Sequence, residues 1–189
     1  MTGLVPGPAP QKLTLEGRYC RLEPLAEHHA EALYAAIEGP EIDTRYRWLM
    51  SHAPKDEDEH RQRVVDAVNH RDWLYFAVID RATGLCGGRH ALMRIRPPDR
   101  SVEIGDVLWG RGIARTRIAT EALFLIARYL FEDLGYRRFE WKCNNRNTPS
   151  KQAANRFGFT FEGVFRQDMI VKGENRDTAW FSMLDSEWP

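Results

Sequence analysis

Residues 103–122 read EIGDVLWGRGIARTRIATEA. The run begins as an apolar strand that ends at Trp109, continues through a loop rich in glycine and arginine, and enters a long helix from about Arg117 to Leu134. A strand, loop and helix in this order expose backbone N–H groups of the loop and first helical turn, with the positive end of the helix dipole behind them. The pattern favours binding of a phosphate or pyrophosphate, and the arginines of the loop strengthen that preference.

The loop lacks the features of the best-known phosphate-binding motifs. It has no Lys-Ser/Thr pair, which a Walker A loop requires, and no G-x-G-x-x-G, which a dinucleotide site requires. A solvated loop that leads into a well-capped helix would show the same residues. The loop alone therefore leaves both interpretations open.

Periodicity predicts regular elements on both sides of this run. Residues 12–25 alternate as one or two short strands, 26–38 form a helix, 41–55 an ordered loop or short helix, and 56–70 a polar helix. Strands at 73–80, 85–95 and 102–109 form an antiparallel meander. After the long helix come a strand at 137–143, a helix at 147–157 and strands at 159–171 and 177–184. An antiparallel half joined to a strand–helix–strand half predicts an α+β (mixed α/β) fold.

Length and composition limit the possible classes of protein. With 189 residues the chain has room for one ordinary domain, which we place at residues 12–189 after a flexible Gly/Pro-rich leader at residues 1–11. Lys+Arg and Asp+Glu both number 27, so no global positive charge favours nucleic acid or an anionic membrane. An odd set of three cysteines, no signal peptide and no long apolar run predict a cytoplasmic protein.

Four motifs, in order, resemble those of the GNAT acyltransferases, and in particular the subgroup of the RimJ/RimL ribosomal-protein N-acetyltransferases. They are E-I-G at 103–105, A-T-E-A-L at 119–123, N-T-P-S at 147–150 and R-F-G-F-T-F-E-G at 156–163. The resemblance covers about residues 13–188. It implies a splayed, mostly antiparallel mixed sheet of about seven strands with about four helices. It also implies that acetyl-CoA binds between the two central strands, 102–109 and 137–143.

The resemblance also implies which residues hold acetyl-CoA. The family's pyrophosphate motif, Gln/Arg-x-x-Gly-x-Gly/Ala, falls on Ala114–Ala119 when A-T-E-A is the anchor, and on Trp109–Ala114 in a second register. We prefer the first, although Ala114 replaces Gln/Arg and Arg117 replaces Gly. Asn147 matches an Asn that contacts the pantetheine, and it also suits a helix N-cap. The expected cofactor residues are Val107, Leu108, Trp109, Ala114, Arg115, Thr116, Arg117, Ile118, Ala119, Thr120, Asn147 and Ser150.

In this family a deprotonated amine attacks the thioester directly in a ternary complex. Glu103 occupies the position at which some members carry a general base, and Asp106 is the second candidate. In a regular strand these two side chains would face opposite sides of the sheet, so only a bulge would bring both to the cleft. A solvated polar position is the competing interpretation of Glu103. The tyrosine acid of many members is replaced by Ala154, so no proton donor is assigned.

The acceptor side is defined by analogy alone. Arg45 and Trp48 are the expected substrate-binding residues, and Tyr46, His52, Trp73 and Arg89 are further candidates near the cleft mouth. The predicted acceptor is a peptide N-terminus or a small-molecule amine, with no nucleic acid or membrane partner, no metal, and a monomer or homodimer as the assembly. The competing hypothesis is a catalytically silent acyl-CoA-binding or partner-binding module with the same fold.

Overall fold

The computed structural model describes residues 5–188. Within them lie eight strands: β1 (Leu15–Glu16), β2 (Cys20–Pro24), β3 (Leu74–Asp80), β4 (Cys86–Arg96), β5 (Ser101–Trp109), β6 (Arg138–Asn144), β7 (Thr160–Val171) and β8 (Glu174–Leu184). The α-helices are α1 (Ala30–Ile37), α2 (Ile42–Tyr46), α3 (Glu57–Val68), α4 (Arg117–Arg128) and α5 (Thr148–Arg156).

The strands form one sheet in the order β1-β2-β3-β4-β5-β6-β8-β7. Neighbouring strands are antiparallel except β5 and β6, which are parallel and are joined by the crossover through α4. The predicted α+β (mixed α/β) fold with a mostly antiparallel sheet is confirmed, with eight strands and five α-helices where about seven and about four were expected.

Helices cover both faces of the sheet, and the alternation of side chains along β3 shows why. Phe76 and Val78 point to one core with α4, whereas Tyr75, Ala77 and Ile79 point to a second core with α1 and α3. Both sets are buried, so β3 is apolar along its length. The long strand-rich middle of the chain is thus fixed between two hydrophobic layers.

A bulge interrupts the pairing of β4 with β5 at Asp106. Gly105 pairs with Ala91 and Leu108 pairs with Arg89, so β5 carries an extra residue there. Asp106 itself has a φ of 46°, in the left-handed region. This is the irregularity that would allow Glu103 and Asp106 to reach the same cleft.

Two predicted elements have different bounds in the structure. The long helix is α-helical only to Arg128 and continues as a π-helical turn over Tyr129–Asp133. The last strand begins at Glu174, because Lys172 and Gly173 both have positive φ and close a tight hairpin with β7.

Residues 5–11 of the predicted leader make backbone contacts with the domain. The Gly7 N–H donates to the Pro97 carbonyl at 2.9 Å, and the Val5 carbonyl accepts from Arg100 Nε at 2.7 Å. The Gln11 N–H donates to the Tyr129 hydroxyl at 2.9 Å. A Gly/Pro-rich segment forms no regular element, but here its backbone groups bind side chains and turns of the domain. Residues 1–4 of the predicted flexible leader lie outside the described residues.

Candidate active site

A cleft of about 1070 Å³ opens where β5 and β6 diverge. The two strands are paired over four positions only, from Ser101 with Arg138 to Ile104 with Trp141. Beyond Ile104, β5 pairs with β4 alone, so its other edge faces the cleft with free backbone groups. The cleft is also lined by the α2 region, the N-terminus of α5 and the β7–β8 hairpin.

Most of the predicted site residues line this cleft. They are Glu103, Asp106, Val107, Leu108, Trp109, Ala114, Arg115, Asn147, Ser150, Arg45 and Trp48. Trp73 lines it as well, whereas Tyr46 and His52 line a separate, smaller hollow. The lining does not include Thr116, Arg117, Ile118, Ala119 or Thr120, which form the N-cap and first turn of α4.

The arginines of the β5–α4 loop have different positions. Arg115 lies at the cleft with a φ of 64°. The Arg111 guanidinium donates to the Glu38 carbonyl at 3.1 Å, beyond the end of α1. The Arg117 guanidinium lies over the Tyr19 ring, 4.3 Å from its centroid. Of these three arginines, Arg115 is the one that lines the cleft.

The β5–α4 loop, which borders the cleft at Ala114 and Arg115, and the start of α4 present free backbone donors. Thr116 caps the helix, since its Oγ1 accepts from the Ile118 N–H at 3.2 Å. Over residues 110–120 as described, the backbone N–H groups of Gly112, Arg115, Arg117 and Ala119 have no protein acceptor. Four free donors beside the positive end of a twelve-residue helix can bind an anion.

Glu103 is a buried carboxylate with two cationic partners. Only 3% of the residue is exposed. Its Oε2 binds Lys142 Nζ at 2.8 Å and also binds the Arg94 guanidinium. Lys142 in turn binds Glu140 at 2.8 Å and lies 3.7 Å from the centre of the Trp180 ring. With 3% of the residue exposed, Glu103 does not occupy the solvated polar position that was the competing interpretation.

Asp106 is held by different partners. Its Oδ2 accepts from the Tyr75 hydroxyl at 2.8 Å and pairs with the buried Arg89 guanidinium. Burial alone would raise the pKa of this carboxyl, but Arg89 and Tyr75 together hold it below its ordinary value of 3.8. Arg89, a further acceptor-side candidate, does not line the cleft. From β4 it binds Asp106 and so holds the bulge of β5 in place.

The start of α5 forms the opposite wall of the cleft. Asn147 caps the helix by accepting the Ser150 N–H at 3.1 Å, so the N-cap interpretation holds, and Asn147 also lines the cleft. Ser150 Oγ accepts from Trp141 Nε1 at 3.0 Å, which ties α5 to β6. Trp109 Nε1, on the facing strand, is a buried donor with no partner among the described residues.

Several cleft residues were not identified from the sequence. The most important are Arg94 and Lys142, which hold Glu103, and Arg176 and Met169, which reach the cleft from the β7–β8 hairpin. The hairpin tip is fixed to α2 because Lys172 Nζ donates to the Tyr46 carbonyl at 2.7 Å. The one sequence signal for Lys142 was its place as a lysine within the predicted strand R-R-F-E-W-K-C. The hairpin contacts depend on tertiary structure and have no such signal.

Glu23, His28 and His29 are the group among residues 5–188 that could hold a metal ion by proximity. His29 Nδ1, however, accepts the Ala26 N–H at 3.0 Å, so its Nε2 carries the proton and donates to Glu23. That nitrogen has no lone pair for a metal.

None of the helices within residues 5–188 is long and apolar enough to cross a membrane.

Comparison with known proteins agrees with this geometry. The sequence profile of the family described as "Acetyltransferase (GNAT) domain" matches residues 20–160. The chain belongs to the GNAT acetyltransferase family. A crystal structure of a GCN5-related N-acetyltransferase from Brucella melitensis is similar with a TM-score of 0.97 and 50% identity, over 100% of this chain and 86% of that chain. The fold class predicted from the motifs of this GNAT chain is therefore correct.

Two curated relatives are more distant. "Uncharacterized N-acetyltransferase p20" of Bacillus licheniformis is 30% identical over 58% of this chain and 58% of its own length. "Putative ribosomal N-acetyltransferase YdaF" of Bacillus subtilis (strain 168) is 26% identical over 75% of this chain and 79% of its own length. The second name supports the resemblance of this GNAT chain to the RimJ/RimL subgroup.

Proposed function

We propose that this protein is an N-acetyltransferase that moves an acetyl group from acetyl-CoA to a primary amine by direct attack in a ternary complex. The observation that carries the proposal is the divergence of β5 and β6 beyond Ile104, which opens a cleft bordered by Ala114 and Arg115 of the β5–α4 loop. The name of the relative YdaF supports a peptide or protein N-terminus as the acceptor, with a small-molecule amine as the other possibility.

The residues present fit acetyl-CoA along the length of the cleft. The unpaired edge of β5, over Val107, Leu108 and Trp109, offers backbone groups to the amides of a pantetheine arm, as an added strand would use them. The buried Nε1 donor of Trp109 lacks a partner on this path. At the far end, the N–H groups around residues 112–119 and the Arg115 guanidinium suit a pyrophosphate. Ala114, Thr116, Arg117, Ile118, Ala119 and Thr120 take part through the loop and helix backbone, and Asn147 and Ser150 border the arm from α5.

When bound, acetyl-CoA supplies a thioester carbonyl that an amine can attack, with release of the CoA thiol. The chain must then remove a proton from the amine and polarise the carbonyl. We assign the first role to Glu103, acting through water, because its Oε1 is not used by Arg94 or Lys142, which both bind Oε2. Asp106 is the second candidate, but its lowered pKa and its partners Arg89 and Tyr75 favour a positioning role. Backbone N–H groups of Val107–Trp109 would polarise the carbonyl.

Replacement of Glu103 tests the assignment of the base. Glu103→Gln keeps the shape of the side chain but cannot accept the proton, so we expect turnover at neutral pH to fall by about 100-fold or more, with little change in acetyl-CoA affinity. Turnover is measured as thiol release with a panel of peptide and small-molecule amines. Glu140→Gln is the matched control, because Glu140 is equally buried and binds the same Lys142 without lining the cleft. Equal rates in wild type and Glu103→Gln would return Glu103 to a structural role.

Binding of acetyl-CoA tests the other half of the proposal. Arg115→Ala should weaken it by about 1.5–3 kcal/mol, as expected for a lost charge-assisted hydrogen bond. The measurement is calorimetric titration with acetyl-CoA, with Arg128→Ala at the opposite end of α4 as control. Unchanged affinity would remove Arg115 from the site. Binding of acetyl-CoA without thiol release for any amine would instead favour the silent binding module.

A further inference from the structure

Charge is distributed unevenly in this protein. The chain as a whole is neutral, with 27 basic and 27 acidic residues. Eight basic but only three acidic side chains line the cleft. Arg115 lies on the β5–α4 loop at the proposed phosphate end, whereas Arg146 and Arg156 lie at the two ends of α5. Arg94 and Lys142 bind Glu103. The remaining cations, Arg45, Arg47 and Arg176, lie in the α2 region and on the hairpin, and they need a separate explanation.

Arg176 is the least compensated of these cations. Its Nε contacts Thr178 Oγ1 at 3.2 Å and its Nη1 lies 3.5 Å from Met50 Sδ, but no carboxylate of residues 5–188 lies within ion-pair distance. Burial lowers the pKa of its guanidinium from the ordinary value, which reflects the cost of desolvating the charge. A partly buried cation without an ion-pair partner is unfavourable, and an anionic ligand would relieve that cost.

Arg45, from α2, adds a second incomplete guanidinium to the same cleft. Only 14% of its side chain is exposed, and its Nε is buried with no partner within the described chain. Its one ion pair is with Glu41, whose side chain is 66% exposed, and exposed pairs of this kind contribute little. The guanidinium groups of Arg45 and Arg176 therefore both have N–H donors that are free to bind a ligand.

The position of Arg176 relates these donors to the proposed chemistry. Arg176 and Glu103, the proposed base, line the same cleft. The charged side chains that act on the Arg176 guanidinium are Asp168, Glu103 and Arg94, and none of the carboxylates forms an ion pair with it. An amine that reaches Glu103 would therefore bring its neighbouring groups toward Arg176. A second cationic group on the acceptor would be repelled there, whereas a carboxylate would be attracted.

We propose that the acceptor is an amine that carries a carboxylate close to the reacting nitrogen, and that Arg176, assisted by Arg45, binds this carboxylate. The inference rests on the proposed acetyltransferase function and narrows its substrate class. The carboxylate can come from an acidic side chain next to a peptide N-terminus or from a free amino acid. Polyamines and peptides with a basic second residue are poor acceptors for the same reason.

The test compares three tetrapeptide amides that differ only in residue two: Ser-Asp-Ala-Ala, Ser-Ala-Ala-Ala and Ser-Lys-Ala-Ala. Free aspartate and spermidine are the small-molecule arms. Binding to the full chain in the presence of CoA is measured by titration, and acetyl transfer is measured by thiol release with acetyl-CoA. We expect the Asp peptide to bind about ten- to a hundredfold more tightly than the Ala peptide, and the Lys peptide more weakly than either.

Variants of this GNAT protein assign the effect to the arginines. Arg176→Gln should remove most of the preference for the Asp peptide, and Arg45→Gln part of it. Arg166→Gln is the matched control, because Arg166 is exposed on the same hairpin and does not line the cleft. Measuring the KM and kcat of each variant separates acceptor binding from the chemical step.

The outcomes separate the two proposals. Selective binding of the Asp peptide or of aspartate, lost in Arg176→Gln, supports the inference, and the arm that binds identifies the source of the carboxylate. The same selectivity without thiol release would contradict the acetyltransferase function but leave the anion site intact. Equal binding of all three peptides, tighter binding of the Lys peptide or of spermidine, or a preference unchanged in Arg176→Gln would overturn the inference.

Discussion

Glu121 joins the start of α4 to the turn between β1 and β2. Its carboxylate oxygens accept the backbone N–H groups of Arg18, Tyr19 and Cys20 at 2.7, 2.6 and 2.7 Å. Gly17 allows this approach, because a Cβ there would lie 2.6 Å from the carboxylate. A carboxylate with three backbone donors is an anchor between two elements that the chain places about a hundred residues apart.

The contribution of Glu121 to the free energy of unfolding depends on how exposed its three partners are. A hydrogen bond to a charged group contributes roughly 1.5–3 kcal/mol when buried, but Arg18 is exposed and Tyr19 half-buried, where water replaces much of the interaction. If the hydrogen bond to Cys20 contributes in full and the other two contribute little, Glu121→Ala should lower the free energy of unfolding by about 2–4 kcal/mol. For a domain of this length, that lowers the melting temperature by roughly 5–15 °C.

The pH dependence gives a second, independent check. Burial would raise the pKa of Glu121, but the three N–H donors hold it below its ordinary value of 4.5. Its stabilisation is therefore present above pH 4.5 and is lost as pH falls through the lower folded-state pKa. Urea unfolding of wild type and Glu121→Ala at a series of pH values should show a gap in unfolding free energy that narrows in acid. Glu31→Ala, on the exposed face of α1, is the control. A gap below about 0.5 kcal/mol at pH 7, or one independent of pH, would refute the reasoning.

Two further predictions concern packing and protonation. Gly110→Ala should lower the free energy of unfolding, measured in urea, by about 1–3 kcal/mol, because the added Cβ would lie 2.5 Å from the Ala36 carbonyl oxygen. Gly112→Ala is the control and should cost much less, because no atom lies within 4 Å of the added Cβ. Equal effects would contradict the close approach at Gly110. Burial lowers the pKa of His60 to about 4 and that of His90 to about 3, so the unfolded chain binds protons that the folded chain does not. The free energy of unfolding should therefore fall as pH drops from 6.5 toward 4, by up to about 1.4 kcal/mol per pH unit for each imidazole. His90→Leu should reduce that slope in pH-dependent urea unfolding, and an unchanged slope would show that His90 is not responsible.

The regular elements were predictable because burial imposes a period on the sequence. The continuous apolar run in residues 73–80 follows from burial between two hydrophobic layers, and the helical spacing from Arg117 onward follows from burial of one helix face. The observed strands and helices agree with the prediction to within a few residues. The π-helical turn after Arg128 has no such signal, since its residues keep the apolar spacing of a helix while the hydrogen bonding changes.

The cleft was predictable only in part. Motif order and the strand–loop–helix pattern located Glu103, Arg115 and Asn147 at the cleft. The partners of Glu103 could not be derived, because Arg94 and Lys142 reach it from neighbouring strands whose register depends on bulges. The contact of the Arg117 guanidinium with Tyr19 could not be derived for a related reason, because Tyr19 comes from a turn about a hundred residues earlier.

The short parallel junction between β5 and β6 has a consequence for exchange and motion. Four residue pairs are the whole of the ladder between the two halves of the sheet, so opening there breaks few hydrogen bonds compared with opening elsewhere. A ligand that pairs with the free edge of β5 would act as a short guest strand that lengthens the ladder. Amides at the β5–β6 boundary should then exchange slowly with deuterium in the ligand-bound protein and faster without it, because the ligand would protect the weakest ladder of the sheet.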